Sequence, residues 1–270
     1  MDVPAQNEPV LLVDKQDGVA TLTLNRPRSM NALSRELQGA LLEVFQAVAG
    51  DDSVKVVIIT GAGDRAFCAG LDLKELGGEG EQASARETRQ AIGGGGDLVA
   101  AIEGLAQPII GAINGVAITG GFELALACDV LVASTHASFA DTHARVGIMP
   151  GWGLSQKLPR LIGVYRAKEL SLTGNFIDAE QAERWGLVNR IVAPEALLPA
   201  CRSLAEDMMS CVPEMVSSYK GVIDRGFGES LAEGRRIEVA ANREHSRSVT
   251  PEAVAQRRLK VMDRGRSQSF

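Results

Sequence analysis

Glu123 is the side chain whose setting best suits chemistry. It closes the run Gly120-Gly121-Phe122-Glu123, with a buried strand expected before it at Pro108–Asn114 (PIIGAIN) and an apolar helix running on through Leu124–Cys128 (LALAC). Glycines at a helix start leave backbone N–H groups bare, and the helix dipole adds partial positive charge there. Such a place can hold a developing oxyanion while the carboxylate beside it transfers a proton. The same residues also serve an ordinary strand-to-helix turn, where an acid in the first helical turn is favoured. Four residues taken alone favour the turn, because short motifs recur by chance.

Other chemistries find less support. Gly61-Ala62-Gly63-Asp64-Arg65-Ala66 fits G-x-G-x-x-A directly after a strand. Phe67-Cys68-Ala69-Gly70 then reads as a loop where a dinucleotide fold requires a helix to open, and no strand ending in an acid follows about 20 residues on. No G-x-S-x-G elbow is present for a serine hydrolase. Cys68, Cys128, Cys201 and Cys211 show no metal-ligand spacing, and with only three histidines no metal site is expected. They read as structural thiols in a reducing compartment.

A formal net charge of −6 argues against a nucleic-acid partner. No apolar run approaches the roughly 20 residues of a membrane span. The opening MDVPAQNEPV has neither a basic nor an apolar leader region, so a cytoplasmic location is expected. With 270 residues, 45% of them hydrophobic, the chain can bury a full core as one large domain or as a domain with an appendage.

The elements that would position Glu123 alternate between strand and helix. Val10–Val13 and Val19–Leu24 read as strands joined by a tight turn at Asp17-Gly18. Leu37, Leu41, Phe45 and Val48 recur at helical spacing behind a Ser34 N-cap. Lys55–Thr60 (KVVIIT) has the unbroken apolar run of a parallel strand covered on both faces. Further strands are expected at Pro108–Asn114, Asp129–Ala133 and Val188–Val192. Residues 77–98, with glycines at both ends and a charged centre, read as a mobile flap beside a site. From about Pro194 the pattern is helical and more polar. The fold class is therefore α/β, a sheet-based core followed by a helical layer.

Four segments in order resemble the enoyl-CoA hydratase/isomerase (crotonase) family: NRPRSMNAL (Asn25–Leu33), GAGDRAFCAGLDLKEL (Gly61–Leu76), AINGVAITGGFELALACD (Ala112–Asp129) and PGWGLSQKLPRLIG (Pro150–Gly163). LTGNFIDAEQAERWGLVNRIV (Leu172–Val192) matches its following helix–strand segment. Several long motifs in one order are far more specific than any alone, and they turn the reading of Glu123 toward catalysis. The resemblance implies a spiral of repeated ββα units over residues 1–193 that carries the acyl-CoA site. Residues 194–270 would form a C-terminal helical region for pocket closure and for assembly as a homotrimer or hexamer. It implies an acyl-CoA thioester substrate, with coenzyme A part of that substrate and no separate cofactor. Its carbonyl oxygen would sit between the N–H groups of Leu71 and Gly120, where the first slot commonly holds Ala. Ala69, Gly70, Leu71, Asp72 and Leu73 would line the coenzyme A path, and Arg28 would sit near its phosphates. Asp72 also resembles half of a capping box with Glu75. Arg65 and Lys220 could add charge there or simply face solvent.

One departure stands out. Hydratases of this family use two glutamates, one in the slot of Glu123 and one shortly before the PG loop. Phe139-Ala140-Asp141-Thr142-His143 aligns with that second segment and puts His143 in the glutamate's place. Adding water across an α,β-double bond needs a base for the water and an acid for the α-carbon, each worth about 10²–10⁴-fold. An imidazole can act as either, with an unperturbed pKa of about 6.5; a loop histidine can also be a structural hydrogen-bonding group. Trp152 replaces a small residue of the PG loop and either lines the acyl pocket or packs. The leading expectation is an enoyl-CoA hydratase. An enoyl-CoA double-bond isomerase, for which one carboxylate suffices, and a catalytically weak acyl-CoA-binding protein are the alternatives.

Overall fold

The Asp17-Gly18 hairpin opens the first sheet. In the computed structural model, which describes residues 8–77 and 96–267, β1 (Leu11–Gln16) pairs antiparallel with β2 (Val19–Leu24). Asp17 and Gly18 both take positive φ, 50° and 82°, as a two-residue turn matching the strand twist demands. The strands β3 (Val56–Gly61), β5 (Ile109–Ile113), β7 (Val130–Ser134) and β10 (Arg190–Val192) then add in parallel. The sheet order is β1-β2-β3-β5-β7-β10.

The apolar run of β3 has the expected cause. Val57 and Ile59 face one cluster with Leu37, Leu41 and Phe45 of the Arg35–Ala49 helix. Val56 and Ile58 face a second cluster with Leu197, Cys201 and Ala205 of the Leu197–Met209 helix. Alternate side chains thus bury on opposite faces. Ser34 caps the first of these helices, its side chain accepting from the Leu37 N–H.

A second sheet is made of short strands: β4 (Ala66–Cys68), β6 (Val116–Ile118), β8 (Ser138–Ala140) and β9 (Phe176–Asp178), in the order β4-β6-β8-β9. All its pairs are parallel except β8 with β9. Each of β3, β5 and β7 is followed by one short strand of this second sheet, so the chain winds as a spiral of ββα units. The Phe67–Gly70 stretch, expected to be a loop, therefore starts inside β4. Two asparagines brace that entry: the side-chain amides of Asn31 and Asn114 both donate to the Ala66 carbonyl, at 2.8 and 3.2 Å.

The flap expected over residues 77–98 falls, for residues 78–95, outside the described residues. The chain forms two compact units, the first ending at Val216 and the second beginning at Ser217. The Leu197–Met209 helix lies in the first unit and covers one face of the sheet. The second unit is helical, with Leu231–Ser246 capped by Ser230 and followed by Pro251–Ser267. Among the described residues no helix is long and apolar enough to cross a membrane.

Candidate active site

Three neighbouring parallel strands end at one place. β4 runs into Ala69-Gly70-Leu71, β6 into Thr119-Gly120, and β8 into Asp141-Thr142-His143. Adjacent strands lie about 4.8 Å apart, so these three exits must meet. They form a pocket lined by Ala69, Leu71, Leu73, Thr119, Gly120, Glu123, Thr142, His143, Val146, Ile148, Met149, Gly151 and Trp152.

The wall of this cavity depends on glycine. Gly70 has φ +88°, and a Cβ there would lie 2.9 Å from the Ile118 carbonyl oxygen and 3.1 Å from the Gly120 nitrogen. The exit of β4 can therefore lie against the start of the Gly120–Leu126 helix. A Cβ built on Gly120 would fall 3.5 Å from the Leu71 nitrogen, so the two amides stand side by side. For neither N–H is an acceptor recorded among the described residues. Thr119, one residue earlier, holds φ +53° and ψ −112°, a conformation that β-branched residues avoid. Such strain costs on the order of 1–3 kcal/mol and persists where the surroundings over-determine it. Here the Thr119 N–H donates to the Ala140 carbonyl at 3.0 Å, its carbonyl accepts from the Glu123 N–H at 2.9 Å, and its hydroxyl bonds that of Thr142. Sequence reasoning missed both threonines, since nothing in their type signals a strained turn.

Glu123 is buried at the centre. Its Oε1 accepts the Trp152 N–H at 2.8 Å, and the Leu154 N–H also bonds the carboxylate. Burial raises its pKa above the usual carboxylate range, outweighing those bonds and the nearby His143. Its Oε2 lies 3.6 Å from His143 Nε2, beyond a direct hydrogen bond but close enough to tighten around a substrate. His143, also buried, sets Nδ1 2.7 Å from Asp141 Oδ1. Burial pushes the Asp141 pKa up, yet hydrogen bonds from His143 and Ser171 outweigh it and hold this carboxyl below the ordinary range. Two acids on either side of one imidazole are thus shifted in opposite directions. Such divergence marks different acid–base roles.

Of the other residues singled out in the sequence, Ala69, Leu71 and Leu73 line the cavity, and Gly70 shapes it. Asp72 is engaged elsewhere: it binds Arg26 at 2.8 Å and caps the Lys74 N–H at 3.1 Å. The expected capping box is half formed. Glu75 accepts the Arg35 N–H at 2.9 Å, and the Asp72 N–H goes to the Leu33 carbonyl at 3.2 Å. Arg28 is exposed on the Pro27–Ser29 turn and is not among the lining residues. Arg65 bonds the Pro27 carbonyl, and Lys220 pairs with Asp224. Trp152 has a buried side chain at the pocket wall, and its backbone N–H, which the sequence did not single out, donates to Glu123.

The family model described as enoyl-CoA hydratase/isomerase matches residues 14–252. A relative from Arabidopsis thaliana, named "Probable enoyl-CoA hydratase 1, peroxisomal", is 42% identical over 88% of this chain and 87% of its own. Crotonyl-CoA hydratase of Syntrophomonas wolfei is 36% identical over 86% of this chain and 87% of its own. The crystal structure of an enoyl-CoA hydratase from Bacillus anthracis superposes with a TM-score of 0.86 at 37% identity, covering 94% of this chain and 96% of the other.

Proposed function

The chain belongs to the enoyl-CoA hydratase/isomerase family, and on that premise we propose that it adds water reversibly to the double bond of a 2-enoyl-CoA thioester. The observation that carries this reading is the pairing of Glu123 with His143 at 3.6 Å, beside the adjacent amides of Leu71 and Gly120. Glu123, ionised, takes a proton from water as the oxygen bonds the β-carbon. The π electrons move onto the thioester oxygen, where the two N–H groups stabilise the enolate, each worth about 3–4 kcal/mol. His143, protonated at Nε2, gives that proton to the α-carbon as the enolate collapses to the thioester. Proton exchange between Glu123 and His143 restores the starting pair. The chemistry needs no resident cofactor, since coenzyme A arrives with the substrate. Two acid–base groups favour hydration over the isomerase, for which one suffices.

The Ala69–Leu73 segment is the proposed path of the pantetheine arm, with Arg28 near the phosphates. The proposed assembly is a trimer or hexamer, and the proposed compartment is the cytoplasm, which suits four unpaired cysteines. A panel of 2-enoyl- and 3-enoyl-CoA thioesters tests the activity. Hydration removes the absorbance of the conjugated thioester. Appearance of that absorbance from a 3-enoyl substrate would establish the isomerase instead, and neither change would leave an acyl-CoA binder.

A further inference from the structure

We infer that Asp141 is a positioning residue that keeps Nδ1 of His143 protonated, so that the proton exchanged during turnover enters and leaves at Nε2, the nitrogen facing Glu123. The inference rests on the acid–base reading above and adds to it a residue that two-carboxylate chemistry does not require. Asp141 Oδ1 holds His143 twice, accepting from Nδ1 at 2.7 Å and from the backbone N–H at 3.2 Å. Ser171, from the Val164–Thr173 helix, donates to the same carboxylate. The imidazole is therefore fixed in both rotation and tautomer, and its other nitrogen is left 3.6 Å from Glu123 Oε2. The charged groups facing the ring are Asp141 on its own segment and Glu123 from the Gly120–Leu126 helix. The Val164–Thr173 helix offers the neutral Ser171 hydroxyl, while its Lys168 and Glu169 are exposed. An ionised acid behind an imidazole also stabilises the imidazolium that must form in each cycle, without itself taking the proton.

The direct test is nitrogen NMR of isotope-labelled histidine in the intact protein, where only three histidines need assignment. In the wild type at a pH where the ring is neutral, the His143 proton should sit on Nδ1. In Asp141→Asn, whose amide can donate to the ring instead, the proton should move to Nε2. The same variant should lose about 100-fold or more in kcat, with KM for the enoyl thioester within about threefold. A neutral wild-type ring protonated on Nε2 overturns the inference, as does a variant kcat within threefold of wild type. Should Asp141→Asn fail to fold, the wild-type spectrum decides alone. Should the wild type turn over no enoyl thioester, the hydratase reading fails while the tautomer still tests Asp141.

Discussion

Glu123 is useful to the reaction for the same reason that it burdens the fold: burial holds its pKa high. A carboxyl whose pKa is higher folded than unfolded binds its proton more tightly in the folded state. Its ionisation therefore subtracts stability as pH rises from the ordinary carboxylate range through the raised value. Glu123→Gln keeps the oxygen that accepts the Trp152 N–H and removes the charge. Expected is a loss of turnover by at least about 100-fold with acyl-CoA affinity nearly unchanged. The melting temperature should be equal or higher at pH 8, and that gain should fade below the ordinary carboxylate range. Turnover equal to wild type at matched folding would remove Glu123 from the mechanism. For His143→Ala the expected cost is about tenfold or more in hydration. His143→Glu, which restores a two-carboxylate pair, should recover activity toward short 2-enoyl thioesters. Unchanged turnover per folded molecule with a lowered melting temperature would make the imidazole structural and favour the isomerase. Asp141 runs the other way. Its depressed pKa contributes stability above the ordinary carboxylate range, and that contribution disappears as pH falls through the lowered value.

At the scale of elements, the site exists because β4, β6 and β8 end side by side, and these strands were the least legible part of the chain. Three residues each are too few for alternation to register, so Phe67-Cys68 read as loop and Ser138–Ala140 as no element. The longer strands were plain: Val19–Leu24 matches residue for residue, and β3 announced its two-sided burial. Glu123, Leu71, Gly120 and His143 were legible because their segments align with a family in order, whereas the Asp141–His143 contact and the Thr119 strain arise only when strand exits converge. The short strands are held by backbone-to-backbone packing, and Gly121 shows how closely. A Cβ there would meet the Cys68 carbonyl oxygen at 2.0 Å. Gly121→Ala must push β4 away from the Gly120–Leu126 helix, which separates the Leu71 and Gly120 amides. Expected is a variant that is destabilised by a few kcal/mol, in the range of overpacked cores, and that has lost thioester turnover even when folded. Wild-type melting temperature and turnover would contradict this packing. Gly39→Ala, at a helical position where the added Cβ meets nothing within 4 Å beyond the helix's own backbone, is the matched control and should cost nothing.

For the whole molecule, the C-terminal segment sets the problem. In the helices Pro213–Phe227 and Leu231–Ser246 no residue is buried, although Tyr219, Ile223, Phe227, Leu231 and Val239 are large and apolar. Isolated helices of this length are marginal in water, and most helical stability comes from packing an apolar face. Within the second unit glycines let two helices approach, a Cβ on Gly226 lying 3.6 Å from the Gly234 Cα, a contact that buries little side chain. Apolar faces of this kind mark interaction sites. The proposed assembly would cover them with copies of the same chain. Expected is a particle of three or six chain masses by light scattering at micromolar concentration. Val239→Glu, which places a charge on a half-exposed apolar site, should shift that mass downward and lower helical content together, because each helix would lose the surface that stabilises it. A monomer with full helical content, in wild type or variant, would show that these helices stand without a partner and would contradict the assembly.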